Sequence, residues 1–209
     1  MTSDQLVAFA TFAFVASVTP GPNNVLLTAI GGSAGFRKGM PTLWGIVFGF
    51  AAMIFSLAVG LGGTVFTLPH VMDAIRIVGL VVLLWLAWKI GSAPVGRTDE
   101  TTPAKDKPVE RRGSFVGAAL FQWVNPKAWL IAAGAIGTYM HPGSGGVLQQ
   151  AGILAGVFIV AAALGCLPWL AFGAAVGELL KQPRAARLFN VTMAVLLVAS
   201  MIPVILNAG

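Results

Sequence analysis

Apolar residues in this chain come in long runs, not in the one-sided stripe of a water-facing helix. Six stretches reach the roughly 20 mostly apolar residues that a membrane-spanning helix needs. They are Leu6–Ile30, Thr42–Leu61, Val71–Ile90, Ser114–Ile136, Val147–Gly173 and Leu188–Leu206. The pattern therefore predicts six spanning helices. Two of the runs are interrupted. In the first, Ser17-Val18-Thr19-Pro20-Gly21-Pro22-Asn23-Asn24 places two prolines and a glycine within three positions. These residues remove backbone donors and loosen the chain. Irregular backbone at membrane depth must be buried in protein or line a polar cavity. In the fourth run, Asn125-Pro126-Lys127 does the same. The third run carries Asp73 and Arg76 in its first turns, and the fifth holds Pro168, a point for a tilt or kink.

Composition turns these runs into a class. Of the 209 residues 57% are hydrophobic and 10% charged, and the mean hydropathy is +0.86. A soluble domain carries about 25% charged residues, so the chain reads as an all-α integral membrane protein. The formal charge of +6 does not point to nucleic acid, because membrane proteins gather Lys and Arg in cytoplasmic loops. Cys166 is the single cysteine. No internal disulfide or CxxC pair can form, and its plain reading is a small buried hydrophobe. Met1-Thr2-Ser3-Asp4 offers no basic n-region, so the first run reads as a retained helix. His70 and His141 read as ordinary loop residues, and no metal or cofactor motif stands out.

Charge also sets topology. Between Gly91 and Gly113 the chain turns to Pro, Thr and mixed charge, a composition that cannot build a core and reads as a mobile linker. With the N-terminus outside, the inner segments hold Arg37, Lys38, Lys89, Arg97, Lys105, Lys107, Arg111, Arg112, Lys181, Arg184 and Arg187, which is 11 of the 13 basic residues. Both termini then lie outside. The expected organisation is residues 1–92 as a three-helix repeat, 93–113 as a cytoplasmic linker and 114–209 as a second, inverted three-helix repeat. Three is odd, so the halves enter the membrane from opposite sides. Val18-Thr19-Pro20-Gly21 corresponds to Val124-Asn125-Pro126-Lys127, and Gly45-x-x-x-Gly49 to Gly152-x-x-x-Gly156. Inverted repeats with proline-interrupted helices in matching positions point to a transporter's binding site.

Lys127 sharpens the site. It lies about thirteen residues into the fourth run, roughly 15–20 Å from either end at about 1.5 Å per residue. A central Lys costs about 2.5–3.5 kcal/mol on insertion scales and faces an interior partner or a watery cavity. No Asp or Glu lies deep in the six runs to neutralise it. Its expected partners are the carbonyls freed around Pro20 and Pro22, or the carboxylate of a solute. A structural clamp and a solute contact are both open and are not exclusive. Ser17, Thr19, Asn23 and Asn24 can satisfy freed backbone groups or face a solute; the plainer reading is a tolerated proline kink. The GxxxG pairs, with Gly31, Gly35 and Gly39, read as surfaces for close helix packing.

Pro20-Gly21-Pro22-Asn23, then Gly35-Phe36-Arg37-Lys38-Gly39 and Gly45-x-x-x-Gly49, then Asn125-Pro126-Lys127 after the charged linker, carry a family likeness. In these motifs, and in size and helix number, the chain resembles the LysE/RhtB family of bacterial amino-acid exporters. The resemblance implies a multi-pass protein of the bacterial inner membrane. It implies efflux of amino acids or related zwitterionic metabolites, coupled to an ion gradient with a proton as first candidate. The family's motif positions fall on Pro20, Gly21, Pro22, Asn23, Asn125, Pro126 and Lys127; with Thr19 these are the expected substrate-binding residues. One departure is Phe50, where many relatives carry a small or acidic residue, which weakens a carboxylate-assisted role for that position.

The expected function is thus secondary export, with the solute between the broken first and fourth helices. Lys127 and helix N-termini would attract the solute carboxylate, and loosened carbonyls near Pro20 and Asn23 its ammonium. A membrane enzyme would need clustered Arg, His and acidic residues or paired cysteines, which the chain lacks. A passive channel or a non-transporting structural subunit is the alternative, although no ring of filter residues appears. Pairing of two copies into a homodimer is compatible with the glycine-rich faces.

Overall fold

A computed structural model describes residues 1–61, 70–94, 114–141 and 145–202. Most of the expected linker, including Arg97, Lys105, Lys107, Arg111 and Arg112, lies outside the described residues, as do residues 203–206 of the sixth run. The described residues are helical almost throughout: α1 Ser3–Val18, α2 Pro22–Ala34, α3 Phe36–Ser56 with a π turn Leu57–Leu61, α4 Val71–Gly91, α5 Phe115–Val124, α6 Pro126–Tyr139, α7 Val147–Val176, a 3₁₀ turn Leu179–Lys181 and α8 Pro183–Ala199.

Local chemistry sets the boundaries. Thr2 caps α1 in a capping box: Gln5 N–H donates to Thr2 Oγ1 and Thr2 N–H to Gln5 Oε1. Pro22, Pro126 and Pro183 each stand at the start of a helix, where a missing N–H costs nothing. Gly35, at φ +85°, stands between α2 and α3 in a conformation that favours glycine. Its part is this turn, not the helix packing expected of it, since a methyl group there would meet nothing within 4 Å.

The six runs and the observed helices differ in informative ways. The first run is two helices bent by 51° at Thr19–Gly21. The second helix starts at Phe36 instead of Thr42, because Arg37 and Lys38, exposed at its end, need not leave the helix to stay hydrated. The fourth run divides at Asn125, and α7 continues through Pro168 as a single 30-residue helix. Among the described residues, three helices are long and apolar enough to cross a membrane (Phe36–Gly60, Asp73–Gly91 and Val147–Val176), and α1 with α2 is apolar enough to add a fourth if the bent pair forms one span and not a re-entrant loop.

Two cores hold the helices. The larger joins α1, α2, α3, α5, α6 and α7 around Phe9, Leu27, Leu43, Ile46, Phe50, Met53, Trp129, Leu154, Phe158 and Leu170. The smaller lies between α4 and α8, with Leu83, Leu86, Met193, Leu197 and Val25 of α2. α7 packs along both α1 and α2, α3 packs against both α5 and α7, and α4 packs against α8; α6 touches α3 only lightly.

Glycines allow the closest approaches. A methyl group on Gly173 would fall on the backbone of Thr28, one on Gly31 on the backbone of Leu170 and Ala174, and one on Gly165 on Ser17. On α3, Gly45 meets the Phe115 carbonyl and Gly49 the backbone of Ala119. The expected partner pair, Gly152 and Gly156, makes no such contact: nothing among the described residues lies within 4 Å of either added methyl. Spacing alone could not separate a packed GxxxG from an open one.

Candidate functional site

The two helix breaks meet, and the carbonyls of Ser17, Val18, Thr19 and Pro20 at the first are taken up by side chains. The Ser17 carbonyl accepts from Asn24 Nδ2 at 2.8 Å, and Thr19 O accepts from the same amide at 2.9 Å. Val18 O accepts from the indole N–H of Trp169, 3.0 Å away on α7. Lys127 Nζ then donates to Thr19 O at 3.0 Å and to Pro20 O at 3.3 Å. Ser17 and Val18 are half-buried, and Thr19 and Pro20 lie at the surface, where hydrocarbon would offer their carbonyls no partner. Here only Asn24 is local; the other two donors come from more than a hundred residues away.

The second break is built alike. Asn125 caps α6 by accepting the Lys127 N–H at its Oδ1, 3.1 Å away. Trp129 Nε1–H donates to Trp123 O at 2.9 Å, as Trp169 does for Val18 at the first. Between the breaks stands a trio of amides. Asn23 Nδ2 donates to Gln122 Oε1 at 2.9 Å, Gln122 Nε2 returns a bond to Asn23 Oδ1 at 3.1 Å, and Asn125 Nδ2 donates to the same oxygen at 3.3 Å. Gln122 and Asn125 are fully buried.

Beneath these groups is a cavity of about 40 Å³ lined by residues of both breaks, with Ile46 and Phe50 of α3 and Phe158, Ala162 and Cys166 of α7. The rings of Phe50 and Phe158, 4.2 Å apart, close one wall. Ligand pockets for small molecules run from about 300 Å³, so this conformation is closed down around its polar groups. Two larger grooves, of about 780 and 300 Å³, lie along α4–α8 and between α4 and α5. Their walls are mostly apolar, without the convergence of amides and ammonium that marks the smaller cavity.

Of the expected site residues, Gly21, Pro22, Asn23, Asn125 and Lys127 line the cavity. Thr19 and Pro20 take part through their carbonyls only; the Thr19 hydroxyl turns back to Val15 O at 2.5 Å. Pro126 faces away, against Gly79 of α4. The expected carbonyl acceptors for a solute ammonium are already engaged by Lys127 and Asn24. Sequence reasoning left out Gln122, Phe158 and Trp169, and named Asn24 without assigning it to the site. A glutamine one turn before Asn-Pro in an apolar run was the available signal for Gln122. Among the described residues no carboxylate pairs with Lys127; the recorded ion pairs join His70 and Arg76 to Asp73, and Lys181 to Glu178.

The family model LysE type translocator matches residues 14–205. A cysteine/O-acetylserine efflux protein of Salmonella typhimurium (strain LT2) is 33% identical over 204 residues, covering 95% of this chain and 96% of the relative. A protein of the same description from Escherichia coli O1:K1 is 30% identical over 202 residues, with the same coverage. No solved structure matches the chain. The chain belongs to the LysE type translocator family and is a multi-pass transporter of the inner membrane, not an enzyme.

Proposed function

We propose that the protein exports amino acids or closely related small zwitterionic metabolites as a secondary transporter, with the solute bound between the two helix breaks. The observation that carries this reading is Lys127: an ammonium without a carboxylate partner among the described residues, held over the first break and lining the small cavity between the two breaks. An uncompensated intramembrane cation is costly and marks a functional pathway. Two of its three N–H groups are used by Thr19 O and Pro20 O, leaving one for a solute carboxylate. The relatives named for cysteine and O-acetylserine efflux carry substrates of this zwitterionic class.

In this reading six spanning segments form two inverted repeats, residues 1–92 and 114–209, joined by a cytoplasmic linker, with both termini outside. Support comes from packing: α1 lies on α7 as α5 lies on α3, while α3 meets α7 and α4 meets α8. A two-fold relation between the repeats would generate these pairs. The relation is not kept by α2, which packs closely on α7, whereas α6 touches α3 lightly. Such a difference is what two repeats show when one side of a carrier is closed and the other is poised to open, and rocking of one repeat on the other would give alternating access. A proton gradient is the proposed driving force.

Transport into everted membrane vesicles tests the reading. Lys127→Ala and Pro22→Ala variants should lose accumulation of the solute while inserting normally, and an uncoupler should abolish accumulation by the wild-type protein. Normal accumulation by both variants removes the site, and equilibration without accumulation makes the protein a channel.

A further inference from the structure

Asn24, a residue of the cavity lining, carries a buried polar atom without a partner. Asn24, only 2% exposed, commits its amide nitrogen to Ser17 O and Thr19 O, and its Oδ1 makes no hydrogen bond. The amide cannot turn the other way, since that would set its oxygen against two carbonyl oxygens. Leaving a buried acceptor unsatisfied is unfavourable and rare in a folded protein. Thr42 Oγ1 is the other such atom among the described residues, but Thr42 is not in the cavity wall.

We propose that Asn24 is the residue that recognises the solute's ammonium group, its Oδ1 accepting the N–H that no protein group supplies. The proposal rests on the solute site lying between the breaks. It adds to the expectation that freed carbonyls take the ammonium, because the carbonyls of Ser17, Val18, Thr19 and Pro20 are already held by Asn24 itself, Trp169 and Lys127. The wall then offers one cation with a spare N–H and one acceptor without a donor, the complement of an α-amino carboxylate. The rest of the wall is apolar, with Ile46, Phe50, Ile131, Phe158, Ala162 and Cys166, which suits a solute with an uncharged side chain. A cationic side chain would find no carboxylate there.

The test uses full-length wild-type protein in proteoliposomes and uptake of radiolabelled L-cysteine and O-acetyl-L-serine. Unlabelled 3-mercaptopropionate lacks the amine, and cysteamine lacks the carboxylate. Each should compete about ten- to a hundredfold more weakly than L-cysteine, since a site built around a hydrogen-bonding group rejects the analogue without it. In Asn24→Leu, L-cysteine and 3-mercaptopropionate should compete within about threefold of each other, while cysteamine stays weak through Lys127. That variant also strips donors from two carbonyls and could fail to fold, in which case the wild-type competition decides. Equal competition by 3-mercaptopropionate in the wild type, or full amine discrimination in a folded Asn24→Leu, overturns the proposal. If uptake still depends on Lys127, the site reading survives that result. If Lys127→Met transports normally, or no small neutral amino acid is taken up, both fall.

Discussion

Asn23 and Gln122, 99 residues apart in sequence, exchange two hydrogen bonds through their side-chain amides, at 2.9 and 3.1 Å. The pair joins the start of α2 to the last turn of α5, so each break is held in position by the other. Asn23→Leu leaves the buried Gln122 Oε1 without its donor, Gln122→Leu leaves the half-buried Asn23 Nδ2 without its acceptor, and each should cost about 1–3 kcal/mol. The double variant should cost less than the sum, with a coupling of about 0.5–3 kcal/mol. Thermal unfolding in detergent measures this, and strictly additive losses would show that the pair does not act as a unit.

Trp169 spans the same region from α7. Trp169→Phe keeps an aromatic ring of smaller volume and deletes the donor to Val18 O, which together should lower stability by about 1–3 kcal/mol. An unchanged melting temperature would mean that water or another group takes over that carbonyl.

Gly21 should behave differently from the packing glycines. Its backbone is extended, at φ −179°, so alanine is allowed there, but the new methyl would stand 2.8 Å from Lys127 Nζ and 3.0 Å from its Cδ. The flexible lysine can give way. Gly21→Ala should therefore fold with a loss of no more than about 1 kcal/mol and yet transport poorly, because the ammonium is moved. A variant with full transport would show that the position of Lys127 over the first break is dispensable.

The two GxxxG pairs should separate cleanly. Gly45→Ala and Gly49→Ala press on the α5 backbone and should destabilise by about 1–3 kcal/mol each. Gly152→Ala and Gly156→Ala enter open space and should be neutral or stabilising by up to about 1 kcal/mol, from helix propensity alone. Equal losses at all four positions would contradict the packing described.

Cys166 is a built-in reporter, being the chain's single cysteine, 3% exposed and part of the cavity wall. Alkylation by maleimide should be slow in the closed conformation and should change in rate when a transported solute is added. A fast rate that no solute alters would mean that the cavity is open and unconnected with transport.

How far could the sequence alone have led? The first break was visible, because two prolines and a glycine within three positions, Pro20, Gly21 and Pro22, leave a helix too few donors to continue. The second was marked by Asn125 before Pro126, whereas the lone Pro168 is carried inside α7. Lys127 on the Thr19 and Pro20 carbonyls was also visible, since a deep cation without a carboxylate leaves few other acceptors. Gln122 and Trp169 were not, because one amide or indole in an apolar run has no periodicity to announce it. Their partners are set by how helices cross, and crossing depends on which glycines make contact. That is why Gly45 and Gly152 read alike in sequence and differ in space. Asn24 was visible as a polar residue, but its unmatched oxygen emerges only once every other group has been paired.

The far-sourced partners of the first break have a consequence for biosynthesis. Thr19 O and Pro20 O wait for an ammonium more than a hundred residues downstream, and Val18 O for an indole 151 residues downstream. A chain emerging from the ribosome reaches the membrane with its first segment long before either donor exists. In that interval the bent segment has bare acceptors that hydrocarbon cannot satisfy. It must keep to water or to the insertion machinery until α6 and α7 are made. The same break thus makes the first segment the last to settle.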